Sequence, residues 1–188
     1  MSDYLPGSFF VVDVAGPGGF WIGVAQALVN DASRYKHCGL ILHADGTILE
    51  AEPGGARLAN IAEYAGDGLI VCDGPVQQWL AANVLPGDPK GRAAVETTLR
   101  RDLVTQAHNY VGIGYSWLDY AAIAALHLQL PSKALRRYVA SSGHVQCAQL
   151  VDAVYAAESV HLFADGRQPG EVCPADLAAW AEDWAARR

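Results

Sequence analysis

Short apolar runs, rich in β-prone residues and separated by turn signals, dominate the first half of the chain. Residues 8–14 (SFFVVDV) lie between Pro6-Gly7 and a GPGG turn, which predicts a strand. Residues 37–52 (HCGLILHADGTILEAE) form two such runs around Asp45-Gly46, a sequence typical of a β-hairpin. Residues 68–74 (GLIVCDG) predict a further strand. We therefore expect an antiparallel sheet from this half of the chain.

The second half changes to the hydrophobic spacing of helices. Predicted helices cover residues 20–30, 93–110, 116–130, 132–139, 145–158 and 174–186. The helix at 145–158 has the widest apolar stripe, so it is expected to be buried. Strands early in the chain and helices mainly in the C-terminal half predict an α+β fold, with the antiparallel sheet packed against the helices.

Composition limits the classes of protein to which the chain can belong. Its 188 residues are 52% hydrophobic and 18% charged, which is typical of one globular domain spanning residues 1–188. The net charge is −7 and the basic residues are dispersed, so we do not expect a nucleic-acid partner. The N-terminus lacks the pattern of a signal peptide, and no apolar run is long enough for a transmembrane segment. The expectation is a cytoplasmic protein without a cleavable signal.

The four cysteines, at positions 38, 72, 147 and 173, have no C-x-x-C spacing. This arrangement favours neither a disulfide scaffold nor a zinc ribbon. His144 and Cys147 form an H-x-x-C sequence, but no second pair of ligands accompanies it, so we predict neither a metal nor another cofactor.

Cys147 begins the predicted buried helix, where unsatisfied N–H groups and the helix dipole stabilise a thiolate. A buried core cysteine would fit the same position. Nucleophilic catalysis requires in addition a base and a polar group that orients it. In the predicted hairpin, alternation places His37 and Gly39 on one face with Glu50 and Glu52. Cys147, His37 and a glutamate are thus candidates for a catalytic set, with Gly39 leaving room for a substrate.

Four motifs in order carry a resemblance to a known family: YKHCGLILHADGTILEAEPGGAR, AHNYVGIGYSWLDYAAIA, VQCAQLV and GEVCPADLAAW. Together they resemble the circularly permuted papain-like cysteine hydrolases of the NlpC-type peptidase superfamily, over about residues 6–180. The resemblance implies that Cys147 is the nucleophile, His37 the base and Glu50 the third member. Glu52 is the alternative third member, because the hairpin is one residue longer than the commonest spacing in the family.

Two further aromatic residues follow from the resemblance. Tyr115 and Trp117 lie in a segment that corresponds to the glycine-tyrosine segment bordering the family's active-site cleft. They are also placed to pack against the helix that follows, and the sequence leaves both interpretations open. The chain departs from the family pattern at Ala148 and Gln149, after the cysteine, and at Ser8, where aspartate is usual.

The function implied is a cysteine hydrolase that cleaves an amide bond in a peptide, such as a peptidoglycan peptide, in a bacterial or phage-associated setting. Two alternatives remain: a lipid-directed acyltransferase or thioesterase of the same fold, and a catalytically silent module that binds a peptide or partner. Cys173, which also begins a predicted helix, is the alternative reactive thiol.

Overall fold

The computed structural model describes residues 4–14, 33–52, 54–66, 68–114 and 146–188. The strands within these ranges are β1 (Phe9–Val12), β2 (His37–Ile41), β3 (Thr47–Glu52), β4 (Gly55–Asn60) and β5 (Ile70–Cys72). The α-helices are α1 (Gly74–Asn83), α2 (Pro89–His108), α3 (Cys147–Ala157) and α4 (Pro174–Ala186). Short 3₁₀ helices cover Ile61–Tyr64 and Pro169–Glu171.

The five strands form one antiparallel sheet in the order β4-β3-β2-β1-β5. The predicted α+β class is therefore confirmed, with strands in the N-terminal half and helices mostly after them. The turn of the β2–β3 hairpin is held by Asp45, whose Oδ1 accepts from the Thr47 N–H at 2.9 Å. Gly46 follows in this turn with a φ of +89°, a backbone conformation that glycine adopts without strain.

Strands β1 and β2 and the middle of β3 are covered on both faces of the sheet, so even their alternating residues are buried. One face carries Phe9, Val11, Cys38 and Leu40 and belongs to the main core, to which the helices contribute. The other face carries a smaller apolar cluster: Phe10, Val12, Ile41, Ile48, Ile61 and Tyr64. Because neighbouring residues of a strand point to opposite faces, Cys38 enters the main core and His37 lies on the second face, against Phe10 and Tyr64.

Helix α3 is the central helix of the main core. Its side chains Leu150, Val151, Val154 and Tyr155 are all fully buried. The Tyr155 hydroxyl donates to the Gly7 carbonyl at 2.7 Å, which satisfies its polar end inside the core. The helix packs against β2 and β3, and this packing brings its first residue, Cys147, to the strand that carries His37.

Several boundaries differ from those that the sequence predicts. Helix α2 begins at Pro89 rather than near residue 93, because Asp88 caps it by accepting from the Gly91 N–H at 2.9 Å. Strand β4 and helix α1 were not predicted, since their glycine and proline residues are typical of turns. The helices predicted at 20–30, 116–130 and 132–139 lie outside the described residues. Within the described ranges, no helix combines the length and apolar character needed to cross a membrane.

Candidate active site

The second face of the sheet brings His37 and Glu50 into contact. Glu50 on β3 pairs with Gly39 on β2, which places its side chain beside that of His37, two residues earlier on the same face. His37 Nε2 lies 2.9 Å from Glu50 Oε2. The Glu50 side chain is fully buried, and His37 is nearly so, with 7% of its surface exposed. A local hairpin thus builds the histidine–carboxylate pair.

Cys147 completes the arrangement from the other side of the histidine ring. It is the first residue of α3, is 1% exposed, and lies close enough to the His37 side chain to raise the pKa of that ring. Because Nε2 is bonded to Glu50, Nδ1 is the ring nitrogen left for the thiol. The structure therefore brings Cys147, His37 and Glu50 together in one chain of contacts, with the imidazole in the middle.

The surroundings of His37 favour its protonated form. Burial by itself lowers the pKa of this ring, but the hydrogen bonds and charges of Cys147 and Glu50 outweigh burial and raise the pKa to about 10. Burial raises the pKa of Glu50, yet its contacts with His37, Tyr64 and Arg57 bring that pKa below its ordinary value. These pKa shifts favour an imidazolium and a carboxylate at neutral pH, and a cation beside a thiol is the arrangement that stabilises a thiolate.

Two residues that the sequence did not single out hold Glu50 in place. The Tyr64 hydroxyl donates to Glu50 Oε2 at 2.5 Å, and burial together with Glu50 raises the pKa of this phenol, which keeps it a donor. Arg57 Nη2 lies 2.6 Å from Glu50 Oε1, an ion pair that lacks hydrogen-bond geometry. Arg57 faces Glu50 through the β3–β4 register, so recognising it requires β4 to be known.

Glu52 has a different role from Glu50. Its side chain is 40% exposed and accepts from Arg57 Nε at 3.0 Å. Of the two glutamates that the sequence offered, Glu50 is the one bonded to His37.

His37, Glu50 and Glu52 are also the one group in the described ranges with ligand atoms close enough to hold a metal ion, within 4.8 Å of one another. The guanidinium of Arg57 contacts both of these carboxylates. It already supplies the positive charge that a metal ion would bring, so the cluster is better suited to an ion-pair network than to a cation.

Gly39 makes room for an internal side chain, that of Phe10. A Cβ at this position would lie 2.5 Å from the Leu49 carbonyl oxygen and 2.7 Å from Cε1 of Phe10. The Phe10 ring fills that space and meets the His37 ring edge-on, with 6.3 Å between the centroids. The expectation that Gly39 borders a substrate cleft stays a prediction, and the space directly beside its Cα is taken by the Phe10 ring. Tyr115 and Trp117 lie outside the described residues.

The other three thiols differ from Cys147 in their surroundings. Cys38 is fully buried in the main core, where burial and a hydrogen bond to Cys147 raise its pKa well above the ordinary value. Burial likewise raises the pKa of Cys72 to about 11. Cys173 is the N-cap residue of α4, and its backbone N–H donates to Asp176 Oδ2 at 2.8 Å. Among the four thiols, Cys147 is the one whose proximity raises the pKa of His37.

Gln146, directly before Cys147, is a further polar residue that the sequence did not single out. It is 2% exposed, and its Nε2 finds no acceptor among the residues that the structure describes. A buried donor without an acceptor is costly, and this cost commonly marks a functional position.

A scan against models of protein families and a search of curated proteins give no match to this chain.

Proposed function

We propose that the protein is a cysteine hydrolase that cleaves an amide bond with Cys147 as nucleophile. The observation that carries this proposal is the contact chain from the Cys147 thiol through the His37 ring to the buried Glu50 carboxylate. In chain order the histidine strand precedes the cysteine helix, which agrees with a circularly permuted papain-like fold. A module that only binds a peptide does not require a base fixed beside a thiol, so this arrangement supports an enzyme over such a module.

In the proposed reaction the Cys147 thiolate attacks the carbonyl carbon of the amide. The resulting oxyanion accepts from N–H groups at the start of α3, and Gln146 Nε2 is a second candidate donor. The His37 imidazolium then gives its proton to the departing amine as the carbon–nitrogen bond breaks, which leaves a thioester. Neutral His37 next takes a proton from water, hydroxide oxygen attacks the thioester, and the acid product and thiol are released.

Glu50 acts through His37. Its bond to Nε2 fixes the ring so that Nδ1 faces the thiol, and its charge stabilises the imidazolium. Tyr64 and Arg57 are positioning residues, because they hold the carboxylate and do not touch the thiol. The proposed substrate is a peptide amide, with a peptidoglycan peptide of a bacterial or phage-associated process as the first candidate.

The decisive test is alkylation by iodoacetamide at pH 7, followed by peptide mapping, in the wild type and in His37→Ala. We expect Cys147 to be labelled selectively in the wild type. The rate should fall about 100-fold or more without the histidine, as expected when a thiolate loses its cationic partner. Because Cys147 is 1% exposed, the wild-type rate also measures whether the thiol becomes accessible in solution.

A matched control is His43→Ala, in the β2–β3 turn, which should leave labelling unchanged. Equal slow labelling of all four cysteines, or faster labelling of Cys173, would contradict the assignment. Assays on peptide amides and lipid esters, with Cys147→Ala as the inactive reference, then separate amidase activity from thioesterase or acyltransferase activity.

A further inference from the structure

A second buried carboxylate lies on α3 and takes no part in the chemistry proposed above. Asp152 is 7% exposed, although the neighbouring Val151 and Val154 belong to the apolar core. Within the described part of the chain, no hydrogen bond or ion pair reaches its carboxylate. A charge buried in this way lowers the folding free energy available to the protein unless another group compensates it. Asp152 therefore needs a partner.

The carboxylate lines a cavity of about 160 Å³ between α3 and the segment that follows it. The walls combine polar and apolar groups, among them Asp152, Ala156, His161, Phe163, Arg167 and Gln168. At roughly 30 Å³ for each water molecule, this volume equals about five waters, so a ligand with a short carbon chain fits.

The charges around the cavity favour a cation. Arg167 is already bound by two acids, at 2.6 Å from Asp165 and 2.8 Å from Asp176, and it stacks on Phe163. The Arg167 guanidinium is thus bonded to Asp165 and Asp176, and the nearby carboxylate of Asp152 is left without a bond to it. A metal site needs at least three ligands close together. Among the described residues, no further acid, cysteine or histidine lies close enough to Asp152 and His161 to complete such a site. An organic cation therefore suits the cavity better than a metal ion.

We propose that this cavity binds a small primary ammonium ion, whose N–H groups donate to Asp152 and whose short alkyl chain packs against Ala156 and Phe163. An ammonium group has three donors, and His161 and Gln168 offer further acceptors in the same walls. Asp152 follows Cys147 by five residues, which puts it roughly 140° away around the helix. Binding here is independent of the proposed hydrolase function.

Binding requires the charged form of Asp152. Burial, with Asp176 and Asp165 nearby, raises its pKa to about 6 against the opposing effects of His161 and Arg167. At pH 8 almost every molecule carries the carboxylate, whereas at pH 5 about one in ten does. The apparent affinity is therefore expected to fall about tenfold from pH 8 to pH 5.

The test is a calorimetric or NMR titration of the wild-type protein with n-propylammonium chloride at pH 8 and constant ionic strength. Controls are 1-propanol, which has no charge, and tetramethylammonium, which has no N–H donor. We expect saturable binding of n-propylammonium alone, with a dissociation constant in the millimolar range. Absence of saturable binding at pH 8 would overturn the proposal.

Two variants locate the site. Asp152→Asn should abolish binding, whereas Asp183→Asn, which removes an exposed carboxylate outside the cavity wall, should change the affinity less than about twofold. Equal binding by both variants would assign the ammonium ion to general surface charge and overturn the proposal. Thermal melting of Asp152→Asn verifies that the variant is folded. Retention of binding in Cys147→Ser separates this site from the proposed active site.

Discussion

Glu50 and Asp152 are both buried carboxylates, yet the protein shifts their pKa values in opposite directions. Glu50 is bonded to His37 and Tyr64 and paired with Arg57, and these contacts lower its pKa despite its burial. Asp152 has no such contacts within the described ranges, and burial raises its pKa to about 6. Burial thus penalises both charges, and the contacts decide how far the pH must fall before each carboxylate takes up a proton.

The comparison also separates two ways in which a buried charge can serve a protein. Around Glu50 the partners are built into the fold by the pairing of β2, β3 and β4, so the charge is fixed by the fold itself. Around Asp152 the described residues provide no direct bond to the carboxylate, only the weaker effects of His161 and Arg167, and a ligand in the cavity can provide one. Preorganisation of this kind suits the orientation of a catalytic base, and an uncompensated charge suits binding.

The largest expected effect comes from Glu50→Gln, which removes the charge between His37 and Arg57. Removing one partner of a buried ion pair leaves the others uncompensated, so the free energy of unfolding should fall by about 3–5 kcal/mol. Chemical denaturation at pH 7 measures this loss. Glu52→Gln is the matched control, because its side chain is 40% exposed and its loss should cost less than about 1 kcal/mol. Equal losses of unfolding free energy in the two variants would show that the ion pairs of Glu50 contribute no more stability than those of Glu52.

An intermediate effect is expected in the pH dependence of stability. The pKa of His37 is raised from 6.5 to about 10, so its ionic contacts stabilise the fold fully below pH 6.5. This contribution is lost as the pH rises towards 10. The free energy of unfolding of the wild type should therefore decline between pH 7 and pH 10 more steeply than that of His37→Gln. Parallel curves in denaturation experiments would show that the histidine is not charged in the folded protein.

The smallest effect, of opposite sign, is expected from Asp152→Asn. Above pH 6 this change removes an uncompensated buried charge, so the variant should be more stable than the wild type by about 1 kcal/mol at pH 8. The pKa of Asp152 is raised, so the wild type loses stability as the pH rises from about 4 to about 6. The advantage of the variant should accordingly be smaller at pH 5. Thermal melts at both pH values, without amine present, measure it. A less stable variant at pH 8 would mean that Asp152 has a partner.

Prediction from sequence succeeded where the contacts are local. The hairpin at residues 37–52 is fixed by its turn and its alternation, and both the strands and the shared face of His37 and Glu50 follow from them. The helices that begin at Cys147 and Pro174 also follow from local signals. Strand β4 was missed, because its pairing with β3 overrides a sequence that resembles a turn.

By itself, the sequence determined the α+β class, the hairpin that carries His37 and Glu50, and the helix that Cys147 begins, since each depends on the residue pattern within a short segment. Tertiary structure alone decided that Glu50 and not Glu52 bonds His37, that Arg57 and Tyr64 hold Glu50, that Phe10 fills the space above Gly39, and that Asp152 lines a cavity. These outcomes depend on register between strands and on packing between distant segments, and neither is encoded in the local periodicity of the chain.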